Sequence, residues 1–144
     1  MAKRILVPID QKTPAGALLD LVGAAVRGNS ATVRLLHVAP VTDNVIGVDG
    51  HTVAYADQEA ARLEAEARDR LRIVELHIGG DIDTAVRFGG DPAFEILAEA
   101  DDFDADLIAM ATNFRTGVGR LFVGGVAEQV ARRASVAVAI VRCV

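Results

Sequence analysis

Ile5-Leu6-Val7-Pro8-Ile9, closed by Asp10, is a short apolar run in which polar and apolar positions do not alternate. A strand of that kind is buried on both faces, as in a parallel sheet covered by helices on either side. The residues that follow keep that rhythm. Thr13-Pro14 opens a helix whose Leu18, Leu19, Val22, Ala25 and Val26 recur at helical spacing until Gly28-Asn29. Thr32 to Val38 reads as a second strand, and Val41 to Ala54, with Gly47, Asp49 and Gly50, as a long loop.

A long helix follows, with Ala56, Ala60, Leu63, Ala67 and Leu71 on one face and mixed charge on the other. Ile73 to Ile78 alternates and also reads as a strand, so the end of that helix stays open. Ile82 to Phe88 is the third strand. Asp91-Pro92 is a helix start, a capping carboxylate before a proline, with Phe94, Ile96, Leu97 and Ala100 inward. Asp106 to Ala111 is the fourth strand. A glycine-rich loop leads to a helix with Val126, Val130 and Ala134 inward, and Val136 to Val141 is the last strand. Strands alternating with helices predict an α/β doubly wound parallel sheet of five strands.

The 144 residues suit one domain, taken as residues 1–144. Hydrophobic residues make up 51% and aromatics 4%, so the core is aliphatic and large enough to need no staple. A net charge of −5 argues against binding nucleic acid or anionic membrane, and no apolar run approaches the length of a membrane span. The single Cys143 forms no internal disulfide, and together with the absence of a signal-peptide pattern it points to the cytoplasm.

Ligands of such sheets bind beyond the carboxyl ends of the strands, where strand order reverses. There Pro8-Ile9-Asp10 meets the segment from Ala111 to Val126. Amides at the start of the fourth helix favour an anion, and Arg115 and Arg120 add positive charge. A glycine-rich loop is also compatible with a plain tight turn, and Asp10 with a helix cap. His37 lies inside an apolar strand and reads as a hydrogen-bonded core residue; His51, near Asp49 in the long loop, reads as surface-solvated with a metal as the alternative, His77 has no partner visible in the sequence, and Cys143 reads as inert with oxidation or crosslinking of an exposed thiol as the alternative. Asp101, Asp102, Asp104 and Asp106 read as a solvated turn.

Ile5 to Asp10, Leu35-Leu36-His37-Val38, Gly90-Asp91-Pro92-Ala93, Asp106 to Thr112, and Gly124-Gly125-Val126 with Val136 to Arg142 together resemble the universal stress protein (UspA-like) family. The resemblance runs through nearly the whole chain in the family's order. It implies a flavodoxin- or Rossmann-like sheet of order 3-2-1-4-5. It also implies an adenine-nucleotide site, for ATP or AMP with Mg if ATP, formed by Pro8, Ile9, Asp10, Val38, Met110, Ala111, Thr112, Phe114, Arg115, Gly117, Gly124, Gly125 and Val126. Asp10 would hold ribose or metal, and Val38 would meet adenine. The family's phosphate loop, Gly-x-x-Gly, nine residues, then Gly-Ser or Gly-Thr, falls here on Ala111, Phe114 and Gly124-Gly125. The nucleoside half is kept and the phosphate half altered.

No dinucleotide fingerprint, P-loop or nucleophile elbow is present, so the chain is expected to bind rather than catalyse. Val136 to Val141 would be an edge strand with no charge or proline to protect it. In the resembled family two such strands pair across a two-fold axis, which predicts a homodimer burying Val138 and Ile140, with Arg133 and Arg142 either flanking that pairing or solvated. The alternative function is a dimeric scaffold of the same fold that binds no nucleotide.

Overall fold

The computed structural model describes residues 4–9, 16–39, 52–79, 82–112 and 125–142. In chain order they form β1 (Arg4–Pro8), α1 (Gly16–Asn29), β2 (Thr32–Ala39), α2 (Thr52–Ile78) and β3 (Ile82–Phe88), then α3 (Pro92–Phe103), β4 (Leu107–Thr112), α4 (Val126–Arg133) and β5 (Ala137–Arg142). The strands make one sheet in the order β3-β2-β1-β4-β5, every pair parallel, as expected. Thr13 and Pro14 lie outside the described residues.

Each face of the sheet carries its own core. On one side Ile5, Val7, Val33 and Leu35 pack with Leu18, Val22 and Val26 of α1 and Leu71 and Ile78 of α2. On the other, Leu6, Leu36 and Ile108 pack with Ala93, Ile96, Ala100 and Phe103 of α3 and Val130 of α4. Leu6, Leu18, Leu35, Leu36 and Ile108 are fully enclosed, each contributing roughly 1.5–3 kcal/mol of burial. β1 therefore feeds both cores, which is why its sequence is apolar without alternation.

Four expectations are corrected. Residues 52–54 are helical rather than looped, and α2 runs unbroken to Ile78, so Ile73 to Ile78 is not a strand. Nothing interrupts the chain before Gly79, whose φ of +74° and N–H bond to Glu75 O (2.9 Å) end the helix. Ile73 and Leu76 instead point outward, 68% and 75% exposed. Phe94 does not face inward: the buried stripe of α3 is Ala93, Ile96, Ala100 and Phe103, and Phe94 sits off it, 54% exposed. Val126, in the first turn of α4, is likewise exposed, while Val130 is buried.

α3 starts and stops as its sequence dictates. Asp91 is extended, and its Oδ1 accepts from Phe94 N at 3.3 Å. At the other end Asp104 adopts a left-handed conformation (φ 59°), and Ala105 N donates to Ala100 O at 2.9 Å.

Candidate functional site

The sheet opens where β1 meets β4. Their ladder joins Ile5 to Leu107 and Leu6 to Ile108 and goes no further, although β1 continues to Pro8 and β4 to Thr112. β2 overshoots β1 on the other side. The last β1 residue in that ladder, Pro8, lies opposite Leu36, and β2 runs on to Ala39.

Leu36 O accepts from Ile9 N at 2.7 Å, and the Ile9 carbonyl lies 3.3 Å from Nδ1 of His37. Main-chain groups alternate in direction along a parallel strand, so Val38, two residues beyond Leu36, turns its N–H and C=O toward the space past the end of β1. His37 is hydrogen-bonded as expected, but half-buried rather than a core residue.

The opposite wall is the start of α4. Gly125 is its N-cap, extended (φ −69°, ψ 153°) and without a side chain to cap the helix. The first helical bond runs from Gln129 N to Gly125 O (2.9 Å), so the amides of Val126, Ala127 and Glu128 precede it and have no acceptor within the helix. Those amides suit an anion. Glu128 stands in the same turn. One of its oxygens pairs with Arg132, and Oε2 is buried with no hydrogen-bond partner among the described residues. The main-chain donors of this turn suit an anion, the Glu128 carboxylate beside them opposes one except as far as Arg132 balances its charge, and Gly125 offers no hydroxyl.

Of the predicted site residues, Pro8, Ile9, Val38, Ala111, Gly125 and Val126 gather at the carboxyl end of the sheet. Met110 is there too, but its side chain is 6% exposed and belongs to the α3–α4 core, which leaves its main chain for any contact. Thr112 ends β4. Asp10, Phe114, Arg115, Gly117 and Gly124 lie outside the described residues. Among the described residues no group of three His, Cys, Asp or Glu is placed to hold a metal, and no helix is long and apolar enough to cross a membrane.

A charged cluster borders this end of β3 and was not singled out from sequence. Arg87, in register with Val38, donates to Glu95 (2.9 Å), Glu99 (2.8 Å) and Asp102 (3.3 Å) of α3. Arg34 reaches the other oxygen of Glu99 at 2.7 Å and Asp83 at 2.7 Å. The bonds to Glu99 and Glu95 push the Arg87 pKa well above its usual value. Burial works to lower the pKa of Arg34, but Glu99 and Asp83 outweigh it and raise the net value. Gly89 adjoins the cluster, and a Cβ there would run into the Glu95 carboxylate. The readable signal was the alternation Asp83–Ala85–Arg87 on β3 facing Glu95, Glu99 and Asp102 at helical spacing on α3.

The sheet order is that of solved universal stress proteins. The chain superposes on the structure of hypothetical protein MJ0577 with a TM-score of 0.79 at 23% identity, covering 99% of this chain and 96% of that one. A universal stress protein solved in complex with cAMP matches at TM-score 0.64 and 18% identity, with 97% and 96% covered. The Archaeoglobus fulgidus universal stress protein in complex with dAMP matches at 0.59 and 19%, with 95% of each chain covered. No curated protein matches the sequence. At these identities the superpositions show the fold; membership rests on the family model, described as the universal stress protein family, which matches residues 1–142. The chain belongs to the universal stress protein family.

Proposed function

We propose that the protein is a homodimeric binding module that holds an adenine nucleotide in the crevice between β1, β2 and the start of α4. The observation that carries this reading is the overshoot of β2, which leaves the main chain of Val38 facing the crevice. An N–H and a C=O side by side match the acceptor and donor on one edge of adenine. The amides of Val126 and Ala127 supply the anion end. Two similar structures, solved with cAMP and with dAMP, support the ligand class. Asp10 would take the ribose or a Mg ion, and Arg115 the outer phosphates. No described residue of the site is arranged as a base or nucleophile, so the reading is of binding without turnover.

Dimerisation would run through β5. That edge exposes Ile140 at 41%, while the opposite edge strand, β3, is guarded by Asp83 and Arg87. Antiparallel pairing with Val138 of one copy opposite Ile140 of the other would cover the exposed side chain.

The test is to purify the protein, denature it, and identify released nucleotide by chromatography and mass spectrometry, followed by calorimetry with ATP and AMP. Bound or binding nucleotide that is weakened by Asp10→Ala, with the fold intact, is the expected result. A protein that is empty and indifferent to both nucleotides would instead leave the dimeric scaffold as its function. Gly125, which offers no hydroxyl to a phosphate, is the feature that favours that second reading.

A further inference from the structure

We infer that Glu95, in the first turn of α3, is a positioning residue for the purine: by closing on Gly89 and Arg87 at the end of β3 it fixes the peptide groups of Val38 that face the crevice. This rests on the nucleotide reading proposed above and assigns the residue that makes the site select adenine over a 6-oxo purine.

The overshoot of β2 leaves its last residues with a strand on one side only. β1 accompanies β2 as far as Leu36, and from there β3 alone carries the pairing, with Val38 opposite Arg87 and Ala39 opposite Phe88. One further bond, from Gly89 N to Ala39 O at 3.1 Å, closes that side. The Val38 carbonyl and the Ala39 N–H belong to one planar peptide and point opposite ways. Holding Ala39 against β3 therefore aims the Val38 carbonyl at the crevice.

β3 is an edge strand, so its end needs an anchor from outside the sheet. Arg87 Nε donates to Glu95 at 2.9 Å, which ties the strand to α3. Glu95 also packs on the main chain of Gly89: a Cβ there would lie 2.7 Å from both Cγ and Cδ of the glutamate. Glycine is needed at 89 for this approach and not for its backbone, since Gly79 is the glycine with positive φ among the described residues. Glu95, its side chain 15% exposed, thus holds in place the residue that bonds Ala39. Glu99 and Asp102 still hold Arg87 when Glu95 is changed, so the contact can be loosened without freeing the helix.

Base selection follows from hydrogen-bond polarity. The Val38 N–H and C=O suit the N1 acceptor and 6-amino donor of adenine. Hypoxanthine presents the reverse, a donor at N1 and an acceptor at C6, and would leave both pairs mismatched. Such rejection holds only while the peptide cannot turn.

The experiment compares the wild type with Glu95→Ala, Gly89→Ala and their combination. It reads amide hydrogen exchange at residue 89 by NMR, and affinities for AMP, IMP and ribose 5-phosphate by calorimetry. Each single change is expected to speed exchange at residue 89 on the order of tenfold and to lower the ratio of AMP to IMP affinity severalfold, with ribose 5-phosphate unaffected. Gly89→Ala acts by displacing Glu95, so it should add nothing in the Glu95→Ala background. Glu95→Gln keeps the bulk over Gly89 and an acceptor for Arg87, and should recover most of the wild-type ratio. A merely structural residue would lower the melting temperature and leave the ratio alone. Exchange unchanged in Glu95→Ala, or equal losses for all three ligands, would overturn the positioning role and leave the nucleotide reading standing. A wild type that binds none of the three would overturn that reading and the base selection with it.

Discussion

Arg34 in β2 and Glu99 in α3, 65 positions apart, meet at 2.7 Å, and the second oxygen of the same carboxylate lies 2.8 Å from Arg87 in β3. One side chain thus ties two strands to the helix that covers them. Glu99 is 6% exposed, and its removal would take their shared, most buried partner from two guanidinium groups about three-quarters covered, leaving Arg34 with Asp83 and Arg87 with Glu95 and Asp102. Glu99→Ala is expected to cost about 3 kcal/mol in urea unfolding, and Glu99→Gln less, because the amide still accepts one hydrogen bond. Loss of under 0.5 kcal/mol in the alanine variant would show that the cluster is solvated and structurally idle.

Phe103 is the hub of the same region. The guanidinium carbons of Arg4 and Arg34 lie 4.5 and 4.4 Å from its ring centre, and Arg4 Nε donates to the Phe103 carbonyl at 2.7 Å. Phe103→Leu keeps most of the buried volume and removes both ring–cation contacts. It should cost about 1–3 kcal/mol, and a double-mutant cycle with Arg34→Met should show a coupling of roughly 0.5 kcal/mol or more, where additive losses would show that the contact contributes nothing.

The helix start at Asp91 offers a cleaner test because it was written in the sequence and stands in the structure. Asp91→Ala removes the acceptor for Phe94 N and should lower stability by about 1 kcal/mol, whereas Asp91→Asn should be nearly neutral. Equal losses in the two variants would point instead to the charge facing Arg133.

The strands were legible for a physical reason. Being buried on two faces, β1 and β4 had to be apolar throughout, and the helices between them carried caps and periodic faces. The exceptions share one cause, which is that helical phase is set by packing and not by composition. Phe94 is as apolar as Ile96 but lies off the stripe that meets the sheet, and Glu99, the least apolar choice, lies on it. Glu99 could be read only once Arg34 and Arg87 were seen to converge on it from two strands. At the site, Val38 and Gly125 were legible as positions. The overshoot of β2 past Pro8, which gives Val38 its role, depends on strand register and leaves no trace in local sequence.

Edge exposure gives the next prediction. Ile140 is 41% exposed on β5, beside Val138, which packs on the α3–α4 core. Ile140→Lys places a charge on an edge that the proposed pairing buries, and should convert the dimer to monomer while changing urea stability of the isolated subunit by under about 0.5 kcal/mol. Light scattering reads the first effect and circular dichroism the second. An unchanged dimer would remove β5 from the interface.

Gly125 allows one substitution that strengthens rather than breaks. Its φ of −69° and ψ of 153° are open to any residue, and it caps α4 without offering a side-chain acceptor. Gly125→Ser supplies a hydroxyl for the amide three positions on, where Glu128 already stands at the position that completes a capping box. The helix should gain a few tenths of a kcal/mol in thermal unfolding. The nucleotide reading makes a second demand on the same variant: the hydroxyl stands beside the amides proposed to hold phosphate and can donate to a phosphate oxygen, so the affinity for ATP should rise severalfold while that for adenosine stays level. A stability gain without any change in ATP affinity would show that phosphate does not approach the start of α4, and would separate the capping role of this turn from a binding one.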